Sequence, residues 1–286
     1  MERAKRRKRL RRGKPIAQIA AWIVVLAFVL AGLFPFYWMI ISSLKTQQEL
    51  FTSQTPLWVI QPVSRQYESL FSTTPFGTWF MNSMITSVSA TLISVVLGSL
   101  AAYGINRFPS RFGVKLAQIA LTIYVVPRAL FAVPFFILLN KVGLLNTRIG
   151  VIFAFLTFTL PFMIWLLVGF FDGIPRELDD AAMVDGCSRI GTLVRIIFPL
   201  AMPGIIAAGI YILADAWNDF MYPLALIHST SKTVVTVGVT GMRQGDVLAW
   251  GQIMSAGTIA TLPLLVFFIL IYKRIAGGLL SGSVKG

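Results

Sequence analysis

Residues 16–41 read IAQIAAWIVVLAFVLAGLFPFYWMII, an unbroken run without a single Asp, Glu, Lys or Arg. A helix rising 1.5 Å per residue crosses the apolar core of a bilayer, about 30 Å thick, in roughly twenty residues. Hydrocarbon offers no partner to a free amide, so every backbone group must be bonded within the segment. The run is therefore read as a membrane-spanning helix. Just before it stand Arg3, Lys5, Arg6, Arg7, Lys8, Arg9, Arg11, Arg12 and Lys14, which resemble the basic start of a signal peptide. The apolar run is too long for that and has no small-residue cleavage site, so the helix is expected to be retained.

Working outward, five further stretches meet the same test: Trp79 to Ile105, Leu116 to Leu139, Ile149 to Phe171, Ile197 to Ile227 and Ile253 to Ile275. Several contain Pro or Gly, such as Pro127, Pro134, Pro203 and Gly209, which membrane helices accept where neighbours satisfy the freed carbonyls. Composition agrees: the 286 residues are 56% hydrophobic and 13% charged, and the mean hydropathy is +0.78. This is an all-α integral membrane protein of about six spans. It is expected to comprise a basic arm (1–15) and a transmembrane domain (16–286).

Charge sets the expected orientation. With the N-terminus inside, 18 of the 25 Lys and Arg fall on the inner side and 6 on the outer, Arg128 lying within a span. The positive-inside bias thus puts both termini in the cytoplasm. The net charge of +14 is concentrated in the arm, where it reads as a topology anchor against anionic lipid rather than a nucleic-acid surface. One cysteine (Cys187) and one histidine (His228) are too few for a metal site, and no nucleophile elbow surrounds the histidine. No catalytic or metal-binding residue is expected.

Between the fourth and fifth spans lies a patterned polar loop, about residues 172–197, holding Asp172, Glu177, Asp179, Asp180 and Asp185 of the chain's eleven acids. Pro175 suits a helix first turn, the acids complement a helix N-terminus, Gly186 is placed to end that helix and Ser188 to cap the next. The spacing predicts a helix-turn-helix facing the cytoplasm, with Ala181 and Ala182 giving a smooth docking face.

From Ile174 to Gly204 the chain reads IPRELDDAAMVDGCSRIGTLVRIIFPLAMPG, which resembles the EAA motif of permease subunits of binding-protein-dependent ABC importers. FPFYWMIISSLKTQQELF (34–51), GLLNTRIGVIFAFLTFTLPF (143–162) and the tail from WGQIMSAGTIATLPLL (250–265) to GGLLSGSVKG (277–286) are similar to the carbohydrate, maltose-type branch. The resemblance implies the type I ABC importer permease fold and a bacterial or archaeal plasma (inner) membrane. It also implies a set of partners: a second homologous permease, two copies of an ATPase subunit, and an extracellular solute-binding protein delivering a saccharide or related solute such as a glycerol phosphodiester. In that family the EAA segment is a coupling helix seated on the ATPase. Carried over, the seat is Glu177, Asp180, Ala181, Ala182, Asp185 and Gly186. Asp180 stands where the family more often has Glu, which keeps the charge and shortens the reach, implying weaker docking. The family's outer loop reaches the binding protein, making Val237 and Thr240 the expected contacts. No phosphate-binding Gly-x-x-x-x-Gly-Lys-Ser/Thr loop is present, so no cofactor is expected on this chain, and ATP and Mg belong to partner subunits.

Within the spans, Asp215, Asn218 and Asp219 recur at i, i+3 and i+4 and so share one helix face. An ionisable group at bilayer depth asks for a reason, and these three with Arg128 are the candidate pathway residues. Trp217 to Phe220 resembles the family's Trp-Asn-acid-aromatic signature. Arg128 could pair with one carboxylate or snorkel outward; residue types do not decide. Tyr124, Phe135, Trp165 and Tyr211 could stack on a sugar ring, but such residues more often pack against helices or lipid. A stand-alone secondary transporter is the rival reading, and it predicts internal repeats that are not evident here.

Overall fold

The computed structural model describes residues 2–52, 56–108, 110–244 and 247–282, with side chains placed over 18–242 and 248–269 apart from 53–55, 109, 112, 114, 117 and 121. The basic side chains before Pro15 lie outside the described residues. Their backbone continues without a break into the first span as α1 (Glu2–Ser43). There follow α2 (Gln47–Leu50), α3 (Arg65–Thr73), α4 (Phe76–Arg107), α5 (Arg111–Val125), α6 (Ala129–Lys141), α7 (Arg148–Asp172), α8 (Glu177–Val184) and α9 (Arg189–Thr192). A wide π-turn (Leu193–Ile197) joins α9 to α10 (Phe198–Asn218), and α11 (Met221–Leu226), a 3-10 turn (Thr230–Lys232), α12 (Val235–Thr240) and α13 (Trp250–Gly282) complete the chain.

Among the described residues, five helical stretches are long and apolar enough to cross a membrane: Gln18–Ser43, Phe76–Arg107, Arg148–Asp172, Arg189–Asn218 and Trp250–Ile269. The third expected span is not one helix. Its two halves, Gln118–Val125 and Ala129–Lys141, meet at 105°. Val126 is extended (ψ 132°) where the helix should continue, because the proline ring at Pro127 disfavours the helical region for the residue before it. Pro134, by contrast, is carried inside α6. The fifth span also differs from its expected limits of Ile197 to Ile227. It starts at Arg189 and stops at Asn218, and Asp219 has left the helical region (ψ 127°).

Packing divides the chain into two compact units, Met1–Leu70 with Gln244–Thr258, and Phe71–Arg243 with Ile259–Gly286. In the first, the loop after α1 closes on itself. Thr46 and Glu49 cap α2 reciprocally, Glu49 Oε1 accepts from Gln61 N at 3.2 Å, and Ser43 Oγ meets Tyr67 OH at 2.7 Å. Lys45 is fully buried, donating to Pro56 O with its ammonium 4.7 Å from the Trp38 ring centroid. Burial lowers its pKa, while the Glu49 carboxylate pulls it back up.

In the second unit α4, α7 and α10 pack together. One core joins Tyr103, Met163, Leu167, Phe171, Ile197 and Ile205; another joins Ala90, Val151, Phe155, Phe158, Tyr222 and Leu226. Small residues bring the α4 and α7 backbones close, as membrane helices require when packing rather than hydrophobic expulsion holds them. Ser94 Oγ meets Thr159 Oγ1 at 2.7 Å, and a Cβ on Gly98 would fall 2.9 Å from Met163 Cβ. Gly98→Val is therefore expected to lower the melting temperature of the purified protein, at an overpacking cost of about 1–3 kcal/mol. An unchanged melting curve would show that the two helices have slack there.

Candidate functional site

Three places in the second unit carry the residues singled out from the sequence. The first is the segment after α7. Helix α8 gathers Glu177, Asp179 and Asp180 in its first turn, where carboxylates favour the exposed amides. It ends on Gly186, whose φ of +83° lets Cys187 N reach Ala182 O at 2.9 Å. Ser188 then caps α9, its Oγ accepting from Gly191 N at 3.1 Å. Glu177, Asp180, Ala181, Asp185 and Gly186 are all exposed. Ala182 is not: it is buried beneath the helix. The expected alanine face is thus half as wide as the sequence suggested, because positions i and i+1 point apart on a helix.

The buried side of α8 had no place in the sequence reading. Asp179 is turned inward, with Arg107 Nε at 2.9 Å and the Tyr103 hydroxyl donating at 2.8 Å. Arg107 also donates to Ile174 O, and Arg176 to Asn106 O, both at 3.0 Å. Asn106 in turn donates to Asp172. A cavity of about 420 Å³ opens beside them, lined by Tyr103, Arg107, Arg176, Asp180 and Arg189. The available signal was the i, i+3 pairing of Asp179 with Ala182, which marks one helix face; nothing local marks Arg107 as the partner.

The second place is where two spans break. Arg128 caps the start of α6 just past the Pro127 bend, and its guanidinium bridges two carboxylates, 2.5 Å to Asp215 in the fifth span and 3.2 Å to Asp219 just past its end. It lies over the Phe158 ring at 5.0 Å. Asp219 holds the far side of the junction as well: its Oδ1 accepts from Tyr222 N at 3.0 Å, and its carbonyl accepts from Thr236 Oγ1 at 2.8 Å. Asn218 stays apart, exposed, with its amide returned to Ala214 O. One turn along, the Tyr124 and Tyr211 hydroxyls meet at 2.6 Å, with Tyr211 stacked on Phe162 at 4.4 Å and Trp165 beyond it. Phe135 lies elsewhere, against Phe131 and Tyr222. Arg128 and Asp215 keep roughly a quarter of their side-chain surface, 28% and 22%, whereas Asp219 keeps 4%. The cluster is therefore closed on one side and open on the other.

The third place is the segment that packs on the first turns of α4. Trp79 Nε1 donates to Thr230 O at 3.2 Å, Asn82 Nδ2 to Ser231 O at 3.0 Å and Thr233 O at 2.8 Å, and Val235 N to Ser83 Oγ at 2.9 Å. Gly238 sits flat on Trp79, where any Cβ would strike the ring. Of the expected contacts on α12, Val237 is half-buried and Thr240 exposed.

Comparison with known proteins bears on all three. Residues 94–280 match the sequence pattern of the family described as binding-protein-dependent transport system inner membrane component. The chain is 30% identical over 275 residues to the sulfoquinovosyl glycerol transport system permease protein SmoH of Agrobacterium fabrum, covering 96% of this chain and 95% of that one. It is 32% identical over 279 residues to the trehalose/maltose transport system permease protein MalG of Thermococcus litoralis, covering 96% and 99%. Its fold is similar to a chain from the crystal structure of a bacterial ABC transporter involved in the import of the acidic polysaccharide alginate. That match has a TM-score of 0.76 at 17% identity and covers 92% of this chain and 97% of that one.

Proposed function

Because this chain belongs to the family of binding-protein-dependent transport system inner membrane components, we propose that it forms, together with a second permease, the pathway by which a saccharide or a related glycoside enters the cell. The chain is a multi-pass membrane subunit of an ABC importer; the solute class, the remaining partners and the pathway residues are the proposal. Two ATPase subunits supply ATP hydrolysis with Mg, seated on the exposed face of α8, and a binding protein delivers the solute at the opposite face. Both termini and α8 then lie on the cytoplasmic side of a bacterial or archaeal plasma membrane, in agreement with the positive-inside count. The names of the relatives, with their sulfoquinovosyl glycerol and trehalose or maltose, support a sugar-bearing solute.

The observation that carries the pathway is the face of α10 bearing Tyr211, Asp215 and Asn218. These residues recur at i, i+4 and i+7 and keep exposed surface, and Asp215 is joined to a part-exposed Arg128. Such a face is costly against lipid, so it suits water or a partner lining a wet channel. In a background with Cys187→Ser, a cysteine at Asn218 should react with a membrane-impermeant, water-soluble thiol reagent in the assembled importer. A cysteine at the exposed apolar Leu200 should not. Protection at Asn218 in every transport state would turn the face toward lipid or buried protein and remove the pathway from α10.

A further inference from the structure

α4 touches two places that the chain itself keeps far apart. Near one end, Tyr103, Asn106 and Arg107 hold the buried side of α8 and its approaches, although three helices separate α4 from α8 in sequence. The pairing is sheltered: the side chains of Arg107 and Asp179 keep only 5% and 13% of their surface. Near the other end, Trp79, Asn82 and Ser83 hold segment 230–235, and Asn82 is wholly buried. The helix between is 32 residues long, about 48 Å at the rise of an α-helix. It contains no proline, whereas α7 carries Pro161 and α10 carries Pro203. Prolines remove backbone hydrogen bonds and make kinks. Of these three packed helices, α4 is thus the one whose backbone ladder is uninterrupted by proline from end to end. α10, which follows α8 through α9 and the π-turn, stops at Asn218, and its end meets segment 230–240 through one backbone carbonyl, that of Asp219, which accepts from Thr236 Oγ1.

We propose that α4 acts as a stiff transmission rod between α8 and the segment 230–240, with the Arg107–Asp179 pair and Asn82 as its two positioning contacts. The proposal rests on the importer reading above, which places an ATPase at one end of the rod and a binding protein at the other. α8 is two-faced. Glu177, Asp180 and Asp185 point outward to whatever docks there, while Asp179 passes the displacement inward to Arg107. Asp179 is held from two sides, by the buried charge of Arg107 and by the directional hydroxyl of Tyr103, which fixes it more firmly than apolar contact would. At the far end, one Asn side chain bonded to two carbonyls of the same loop forces that loop to follow the helix.

The test uses the complete importer, reconstituted with its partner permease, ATPase subunits and binding protein, and reads ATP hydrolysis with and without substrate-loaded binding protein. Asp179→Asn and Asn82→Ala should each leave basal hydrolysis unchanged and reduce the stimulated rate about ten-fold, within the range expected of residues that modulate coupling. The double variant should fall no lower than either single one, because a rod cut at one end gains nothing from a second cut. Arg107→Lys, which keeps the charge opposite Asp179, should retain more of the stimulation than Asp179→Asn does. Should Asp179→Asn reduce abundance, Tyr103→Phe, which deletes only the phenol hydrogen bond, is read in its place. Wild-type stimulation in Tyr103→Phe or Asn82→Ala, or losses that multiply in the double variant, would overturn the rod. A wild-type chain that copurifies with no ATPase would overturn the importer reading itself, and the rod with it.

Discussion

Replacing Arg128 with methionine is expected to abolish uptake and to lower the amount of protein that reaches the membrane intact. The guanidinium is the shared partner of Asp215 and Asp219. Methionine fills similar volume, so the change removes charge more than shape. Removing one member of a largely buried ion pair costs about 3–5 kcal/mol, because the remaining charge is left without compensation. Part-exposure of Arg128 and Asp215 to water brings the expectation toward the lower bound. Asp219, almost enclosed, has no such relief. The remedy follows from the same balance: Arg128→Met combined with Asp219→Asn should restore abundance while uptake stays low. Asp219→Asn by itself should keep abundance, since Arg128 retains Asp215, yet reduce transport, because an amide holds the Arg128 guanidinium less firmly than a carboxylate does. Arg128→Lys should fall between, as one ammonium cannot match two carboxylates with separate nitrogens. Uptake equal to wild type in Arg128→Met, measured at matched membrane abundance, would show that the bridge is packing alone.

The second large effect is expected at Gly186. Its φ of +83° belongs to glycine, and a Cβ built there meets no atom within 4 Å. The first side-chain carbon therefore meets no neighbour, and the expected effect comes through the backbone. A β-branched side chain in that conformation costs on the order of 1–3 kcal/mol of local strain, which the short turn can escape only by re-aiming α8 or α9. Gly186→Val should insert normally, lose most substrate-stimulated ATP hydrolysis and fall in uptake about ten-fold or more, with Gly186→Ala milder. Full stimulated hydrolysis in the reconstituted Gly186→Val importer would show that the turn tolerates the change and that α8 does not depend on it.

How much of this could be read from residues alone varies with the kind of interaction. Membrane helices were legible because their requirement is one-dimensional: length and apolarity of a single run. The turn at Gly186 and the cap at Ser188 were legible for the same local reason. The Pro127 bend was within reach, since the residue before a proline is pushed out of the helix, but membrane helices often absorb proline, as α6 does with Pro134. Asp215, Asn218 and Asp219 were grouped by helical period, and here the period misled. Asp219 lies past the helix end yet joins Arg128, while Asn218, inside the helix, does not. Partner choice for Arg128, the inward turn of Asp179 and the grip of Asn82 on residues about 150 positions away all depend on which helices become neighbours, and no local pattern encodes that.

The π-turn at Leu193–Ile197 carries a geometric consequence for the charged face of α10. One i+5 turn set into a helix inserts a single extra residue, and one residue amounts to about 100° of azimuth in an α-helix. The compass bearing of Tyr211 and Asp215 is therefore set well upstream of either, in the short stretch between α9 and α10. A chain of the same length in which 193–197 closed as ordinary α-helix would keep its hydropathy and every carboxylate, and would still face them more than a quarter of a turn the wrong way.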